Sequence, residues 1–384
     1  MSTLGARPWR LDRIQVSSYW LVWFATITFF AGFYALLVPL PRYLEAVGLQ
    51  DWQIGFVLGA FGVASLIGRP LSGVAVDRFG ARAIMLVGAA SLACGALLTS
   101  QTANFAALVS LRVLQATGYI AFTTAGTALV VLLVSPEQRA GRLAAFGTAA
   151  NVAISLAPAA VTALLLFATV EAGLLVTAVC ACFAGLLALF LPSIVTPGAS
   201  GTRLALVPPR RVWAPMLVTC LLGAAFAAFF QFAPILADRR GVSAGLLYTL
   251  YGVVIVATRL VGTRLLDRVS VRLAVGVAAT LMALAYATIA GSQALAGLIV
   301  GIGLVAVGSG LFHPALLAHH AALLPGAPGR ASAAFYIAFD LGIGVGSWVF
   351  GIVLQLAGVA GLYWMAAALA AAALPLAPRL ASRT

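Results

Sequence analysis

Apolar runs long enough to cross a bilayer occupy most of this chain, and they decide what it can fold into. A helix needs about 20 apolar residues to traverse the hydrocarbon core of a membrane. Windows of that kind, bounded by charges or by Pro and Gly clusters, fall at 17–40, 52–72, 83–100, 104–132, 143–167, 172–192, 212–236, 244–262, 273–291, 295–323, 332–357 and 361–377. Twelve spans are therefore expected. The composition agrees: 63% of the 384 residues are hydrophobic and 8% are charged, against about 25% charged in a soluble domain. A water-soluble globular fold is excluded, and an all-α membrane protein is the expected class. Arg7, Arg10 and Arg13 precede the first run as they would in a signal peptide. That run is too long, however, and no A-x-A site follows, so it reads as the first helix.

The charge is lopsided. Twenty-two basic residues face nine acidic ones, for a net +13, and every basic residue is arginine. Without lysine there is no Walker A phosphate site and no Schiff-base chemistry, so an ATP-driven pump or a pyridoxal enzyme is excluded within this chain. Cytoplasmic loops retain positive charge. With the N-terminus inside, the inner segments hold sixteen arginines and the outer loops hold three, Arg42, Arg239 and Arg240. Both termini are thus expected to be cytoplasmic. The positive charge then reflects topology and attraction to anionic membrane lipid, with no nucleic acid called for. The four cysteines form no C-x-x-C and lie in apolar stretches, where small buried hydrophobes are expected. No metal and no cofactor is expected.

The chain also repeats itself. At an offset of 190 residues Gly55 aligns with Gly245, Gly62 with Gly252, Arg69 with Arg259, Asp77 with Asp267, Arg78 with Arg268 and Arg82 with Arg272. Two halves of six spans follow, 1–192 and 212–384, joined by a cytoplasmic linker at 193–211 that is rich in Pro, Gly, Ser and Thr. Between the second and third spans, Gly73, Asp77, Arg78, Gly80 and Arg82 fall in the order G-x-x-x-D-R-x-G-x-R. That order resembles a signature of the major facilitator superfamily, and Asp267, Arg268 and Arg272 form a degenerate second copy. Arg112, Gln115 and Gly118 resemble the R-x-x-Q-G-x-G element of proton-coupled antiporters, with Ala116 in place of one glycine. Gly32 before Pro39-Leu40-Pro41, and the run from Phe339 to Ser347, resemble the twelve-spanner drug:proton antiporter branch. The fifth span departs from that branch, with Leu156-Ala157-Pro158-Ala159 where drug exporters carry a G-P-x-x-G-G element. By resemblance, the loop after the second span is a conformational latch that holds the halves together in the outward-open state, and Gly73, Asp77, Arg78, Gly80, Arg82, Asp267, Arg268 and Arg272 are its residues.

A charge at bilayer depth costs several kcal/mol unless it is paired or hydrated, so intramembrane ionisable groups are functional candidates. Asp340 is the carboxylate placed well inside a span, and it leads as proton carrier, with a structural hydrogen bond as the alternative. Arg112 shares a helix face with Gln115 and Tyr119, from which it can hold an anionic group or depress the pKa of an approaching carboxylate. His313 completes the proton-coupling set. His319 and His320 are expected near the interface. The neutral candidates for the substrate cavity are Tyr34, Gln115, Tyr119, Asn151, Gln231, Tyr251 and Tyr336, with Tyr248 beside them. Phe226, Phe229 and Phe230 are expected to meet lipid or packing partners. No G-x-S-x-G or H-E-x-x-H pattern occurs, so an intramembrane enzyme is not indicated.

The combined reading is a monomeric alternating-access secondary transporter in a bacterial cytoplasmic (inner) membrane. It is expected to be proton-coupled and to export a small organic substrate, with uptake of a metabolite or sugar as the alternative and a non-transporting sensor as a distant third. The first span carries no acidic residue to attract a cation, so a neutral, zwitterionic or anionic substrate is favoured.

Overall fold

The computed structural model of the chain describes residues 8–135, 138–194, 208–266, 269–325 and 327–380. Among these the regular elements are all helical: α1 (Pro8–Ala35), α2 (Pro39–Ala46), α3 (Asp51–Phe79), α4 (Ala81–Thr99), α5 (Phe105–Leu133), α6 (Arg139–Leu164), α7 (Val170–Leu189), α8 (Trp213–Arg240), α9 (Ala244–Leu266), α10 (Val271–Gly291), α11 (Leu295–Leu323) and α12 (Pro328–Ala372). Local chemistry sets several of the ends. The Asn104 side chain accepts from the Ala107 amide at 3.0 Å and starts α5. Gly80, at φ +83°, turns the chain between α3 and α4, a conformation that a side chain would strain.

Eleven helical stretches among the described residues are long and apolar enough to cross a membrane. The expected count of twelve differs because the last two expected spans, 332–357 and 361–377, both lie in one stretch, Gly329–Arg379. At about 1.5 Å per residue, the 45 residues of α12 far exceed the roughly 30 Å of a hydrocarbon core. Gly358 leaves the helical region at φ 66°, ψ −171°, between those two expected spans. No charge or loop marks the break, so the helix changes course at a glycine alone. α1 and α2 together make one span, Ser17–Ala46, with α2 opening on Pro39.

α1 packs on α6 and α7, α4 on α5 and α7, and α3 on α5. α8 packs on α12, α9 on α11, and α10 on α11 and α12. These two sets of helices meet mainly along α3 against α12 and α6 against α9, with α2 touching α8. The outer surface is apolar, as lipid contact requires, with Ile67, Phe167, Leu260 and Leu356 more than half exposed.

Along α3 and α12, small residues let two backbones nearly touch. A Cβ at Gly62 would lie 2.6 Å from the Asp340 carbonyl oxygen and 2.7 Å from Gly344 Cα. Such contact favours van der Waals attraction between helices that gain no hydrophobic drive from lipid. It also carries Asp340 to the facing helix. The cysteines are not buried as expected: Cys94 and Cys182 are exposed, and Cys180 and Cys220 are half-buried.

Candidate functional site

Ser65 and Arg69 stand one helical turn apart on α3, and Tyr336 and Asp340 one turn apart on α12, so each pair shares a face. The two faces meet. Arg69 Nε and Nη2 reach Asp340 Oδ2 at 2.7 and 2.6 Å, the Ser65 hydroxyl donates to the same oxygen, and the Arg69 guanidinium lies 4.7 Å over the Tyr336 ring. Ser65 and Asp340 are both almost inaccessible. A buried carboxylate tolerates such depth because a guanidinium, a hydroxyl and an aromatic face neutralise or solvate it. This ion pair joins the two sets of helices.

Arg112 does not take part. It is buried at the side of Phe33 and Phe61, with its guanidinium carbon 5.9 and 5.7 Å from their centroids, and it donates through Nη1 to Gln115 Oε1 at 3.2 Å. Gln115 in turn donates to Thr99 Oγ1 at 3.0 Å, so the expected Arg112–Gln115 face is present as a hydrogen-bonded chain. No carboxylate pairs with Arg112 among the described residues. The partner of Asp340 is Arg69, which sequence reasoning noticed as a repeat position and not as an intramembrane charge. The signal was present in the arginine balance. Sixteen inner and three outer arginines leave 22 − 16 − 3 = 3 within the spans, namely Arg69, Arg112 and Arg259.

Arg259 on α9 donates through Nη1 to Asn151 Oδ1 on α6 at 2.7 Å. This contact spans the second meeting line between the helix sets. Between the two lines stands a core of aromatic rings. Tyr34 meets Phe230 edge-on at 6.2 Å across the sets, Tyr119 lies 4.3 Å from Phe33, and Tyr251 lies 4.6 Å from Phe229 while sharing a 3.0 Å hydrogen bond with Ser309. His313 is flanked by Phe335, Phe339 and Tyr336, with centroids at 4.7, 5.5 and 5.9 Å. Gln231 is fully buried and its Nε2 has no acceptor among the described residues. Most of the expected cavity residues thus converge, at the join between the two helix sets. Tyr248 instead donates to the Phe230 carbonyl at 3.0 Å and braces α8.

The comparisons place this architecture. The family model of the Major Facilitator Superfamily matches residues 22–244, more than half the chain. The chain belongs to that superfamily. Solved structures similar to it include a mutant of the nucleoside transporter NupG, with 15% identity, a TM-score of 0.82, and coverage of 94% of this chain and 99% of that one. The human organic anion transporter MFSD10 (TETRAN) is 20% identical, with a TM-score of 0.70 over 97% of this chain and 100% of that one. A D-xylose-proton symporter is 15% identical, with a TM-score of 0.76 over 94% and 97%. No curated protein matches the chain. At these identities the likeness to solved structures concerns the fold, and the family membership makes the chain a multi-pass transporter of the superfamily rather than an enzyme.

The signature loop of this superfamily member differs from the expected latch in its contacts. Arg82 donates to the Leu191 carbonyl at 3.4 Å, beyond the end of α7, and Arg272 donates to the Leu380 carbonyl, beyond the end of α12. Each arginine thus holds a backbone carbonyl beyond the end of a helix in its own set. Arg78 lies over the ring of its neighbour Phe79, and Asp77 makes no ion pair among the described residues. Gly80 is required by its positive φ, whereas a Cβ at Gly73 would meet nothing within 4 Å. Asp267 and Arg268 lie outside the described residues. Ion pairs between the helix sets occur instead at the opposite end, where Arg42 grips Asp238 at 2.5 and 2.8 Å and Arg239 faces Glu45 at 3.5 Å and Asp51 at 3.9 Å. Phe226, Phe229 and Phe230 take the packing alternative of their expectation, buried against one another and Tyr251, whereas His319 and His320 are buried, with His320 Nδ1 2.8 Å from the Leu316 carbonyl.

Proposed function

We propose that this transporter is a proton-coupled exporter of a small organic compound that works by alternating access, with Asp340 as the proton carrier and Arg69 as its counter-charge. The observation that carries this reading is the buried Arg69–Asp340 pair, which ties one helix set to the other. A proton on Asp340 removes the charge that Arg69 holds, loosens α3 from α12, and leaves a guanidinium to be satisfied by water or substrate. A change of protonation thereby becomes a change of helix contact, which coupling requires. The reading takes 1–192 and 212–384 as the two moving bundles and 193–211 as the linker. It takes α12 as two crossings divided at Gly358, twelve in all, with both termini in the cytoplasm of a bacterial cell and a monomer in its inner membrane. Arg112 and His313 serve as polar groups of the same pathway, and Tyr34, Gln115, Tyr119, Asn151, Gln231, Tyr251 and Tyr336 as its lining. Gly73, Asp77 and Arg78 at the end of α3, Gly80 at the turn, Arg82 at the start of α4 and Arg272 at the start of α10 serve, with Asp267 and Arg268, as the conformational latch. The ion pairs of Arg42 and Arg239 support a state closed at the face taken as extracellular.

Export is the direction that the antiporter-like elements at Arg112 and at Phe339–Ser347 support. The test uses proteoliposomes with an imposed pH gradient and a substrate found by thermal-shift screening at two pH values. Wild type is expected to move the substrate against its gradient, opposite to the proton flow. Asp340→Asn is expected to abolish gradient-driven accumulation while retaining substrate exchange. Undiminished accumulation in that variant would rule out the proton role, and substrate movement along with the protons would reverse the direction to uptake.

A further inference from the structure

Each of the guanidiniums between the helix sets shows what it lacks by the edge it uses. Arg42 grips both oxygens of Asp238 through its Nε and Nη2 edge, and Arg69 grips one oxygen of Asp340 through the same edge. Among the described residues, Arg259 is hydrogen-bonded only through Nη1, to the neutral amide oxygen of Asn151. Its Nε is buried and has no acceptor among the described residues. Asp340, the one carboxylate at this depth among the described residues, is already held by Arg69 and Ser65. Arg259 is half-buried, and a guanidinium at this depth with its Nε covered and no counter-charge among the described residues is costly. An anion brought to that edge would offset the cost.

Resting on the transporter reading above, we infer that the Nε edge of Arg259 is the binding point for the anionic group of the substrate, which is an organic carboxylate or phosphate ester with a flat apolar body. The surroundings fit both ends of such a molecule. Tyr34 lies edge-on to Phe230, Tyr251 beside Phe226 and Tyr336 beside His313, so these side chains add hydrogen-bonding groups to the aromatic core. Phe226 and Phe230 stack 5.4 Å apart beside Tyr251 and Tyr34 and offer aromatic faces to an apolar body. The bound anion neutralises Arg259 in the way that Asp340 neutralises Arg69, so the second contact line becomes ionic only when loaded. Asn151 keeps Nη1 engaged and leaves Nε unpaired.

The full-length protein in nanodiscs tests this with four probes that share a ring and differ in charge: benzoate, phenyl phosphate, benzylammonium and benzyl alcohol. Ligands that bind the folded state raise its melting temperature. At least one of the two anions is expected to raise it, with the cation and the alcohol silent. Arg259→Gln is expected to weaken that anion at least tenfold, and the rim variant Arg239→Gln to leave it unchanged. Asn151→Asp supplies a built-in carboxylate, keeps the arginine paired and the fold intact, and is also expected to weaken binding at least tenfold. Stabilisation by neither anion, or anion binding retained in both Arg259→Gln and Asn151→Asp, overturns the proposal. Flux of the same probes separates this from the parent reading. An anion that binds through Arg259 without being transported would overturn the export reading for such anions and keep the site. Transport of the cation or the alcohol without anion binding would do the reverse.

Discussion

The α3/α12 and α6/α9 contacts descend from the same repeat and end in different chemistry. Arg69 and Arg259 occupy equivalent positions 190 residues apart, as do Gly62 and Gly252. At the same offset Ser65 becomes Ile255, Tyr336 becomes Phe146 and Asp340 becomes Ala150, next to Asn151. The first line is thus a closed ionic cluster with its own carboxylate, hydroxyl and ring. The second keeps the arginine and drops nearly every group that would satisfy it. Backbone approach differs at one equivalent pair and not at the other. A Cβ at Gly55 would lie 2.6 Å from Gly351 Cα and one at Gly245 3.0 Å from Ala159 Cα and Thr162 Cβ, whereas at Gly62 and Gly252 a Cβ would lie 2.6 Å from a main-chain atom in both, the Asp340 carbonyl oxygen and Ser155 Cα. The repeat has therefore kept the arginine on both contact lines and, among the described residues, paired it with a carboxylate on only one of them.

The largest difference is expected where a buried charge loses its partner. Asp340→Ala leaves Arg69 uncompensated and should destabilise the protein by about 3–5 kcal/mol. Asn151→Ala removes only a neutral acceptor from Arg259 and should cost about 1.5–3 kcal/mol, as for one hydrogen bond to a charged group. Combining Arg69→Met with Asp340→Leu removes both charges and should recover most of the loss. Thermal and denaturant unfolding of the purified protein decides. Equal losses in the two single variants would mean that the contact lines are energetically alike after all.

Backbone spacing gives the next contrast. Alanine at Gly62 drives its Cβ into the Asp340 carbonyl and Gly344 Cα, which are main-chain atoms that cannot step aside, and overpacking of this kind costs about 1–3 kcal/mol. Alanine at Gly245 meets Ala159 and Thr162 at 3.0 Å, a misfit that a shift of a few tenths of an ångström removes. The better helix propensity of alanine, about 0.5–1 kcal/mol, then leaves Gly245→Ala near neutral. Melting temperatures of the two variants measure this directly, and a Gly245→Ala loss as large as that of Gly62→Ala would show that α6 and α9 are packed as rigidly as α3 and α12.

How far the sequence carried this reading follows from what each feature depends on. Spans such as 52–72 and 295–323 were legible because hydrocarbon imposes length and composition on every crossing. The repeat was legible because glycines and arginines recur at one offset, and Asp340 because a lone carboxylate in an apolar run stands out. Arg69 escaped notice because it lies near the end of its apolar run, and its importance comes from Asp340, 271 positions away, a distance that no local pattern encodes. The division of α12 was hidden for another reason: Gly358 is one small residue among many, and only its backbone angles distinguish it. The contacts of Arg82 and Arg272 were not legible because a signature fixes residue types and leaves their partners open, and both reach backbone carbonyls beyond the end of a helix in their own set.

The smallest expected effect on stability lies at the rim, and it sharpens the comparison because it should act on both contact lines together. Arg42 and Asp238 are partly exposed, at 23% and 35%, and pairs of this kind contribute about 0.2–1 kcal/mol. Arg42→Gln should therefore leave the melting temperature nearly unchanged. The pair nevertheless joins α2 to the end of α8 and exists only while that face is closed, so its whole contribution bears on the balance between closed and open states. A bias of 0.2–1 kcal/mol corresponds to a change of roughly 1.4- to 5-fold in that equilibrium. Labelling of a Phe230→Cys thiol by an impermeant reagent added at that face should accelerate within this range in the Arg42→Gln background. The acceleration should shrink as salt screens the wild-type pair. If labelling is unchanged at low salt, the face is held by α3/α12 and α6/α9 alone, and the rim charges serve topology and nothing more.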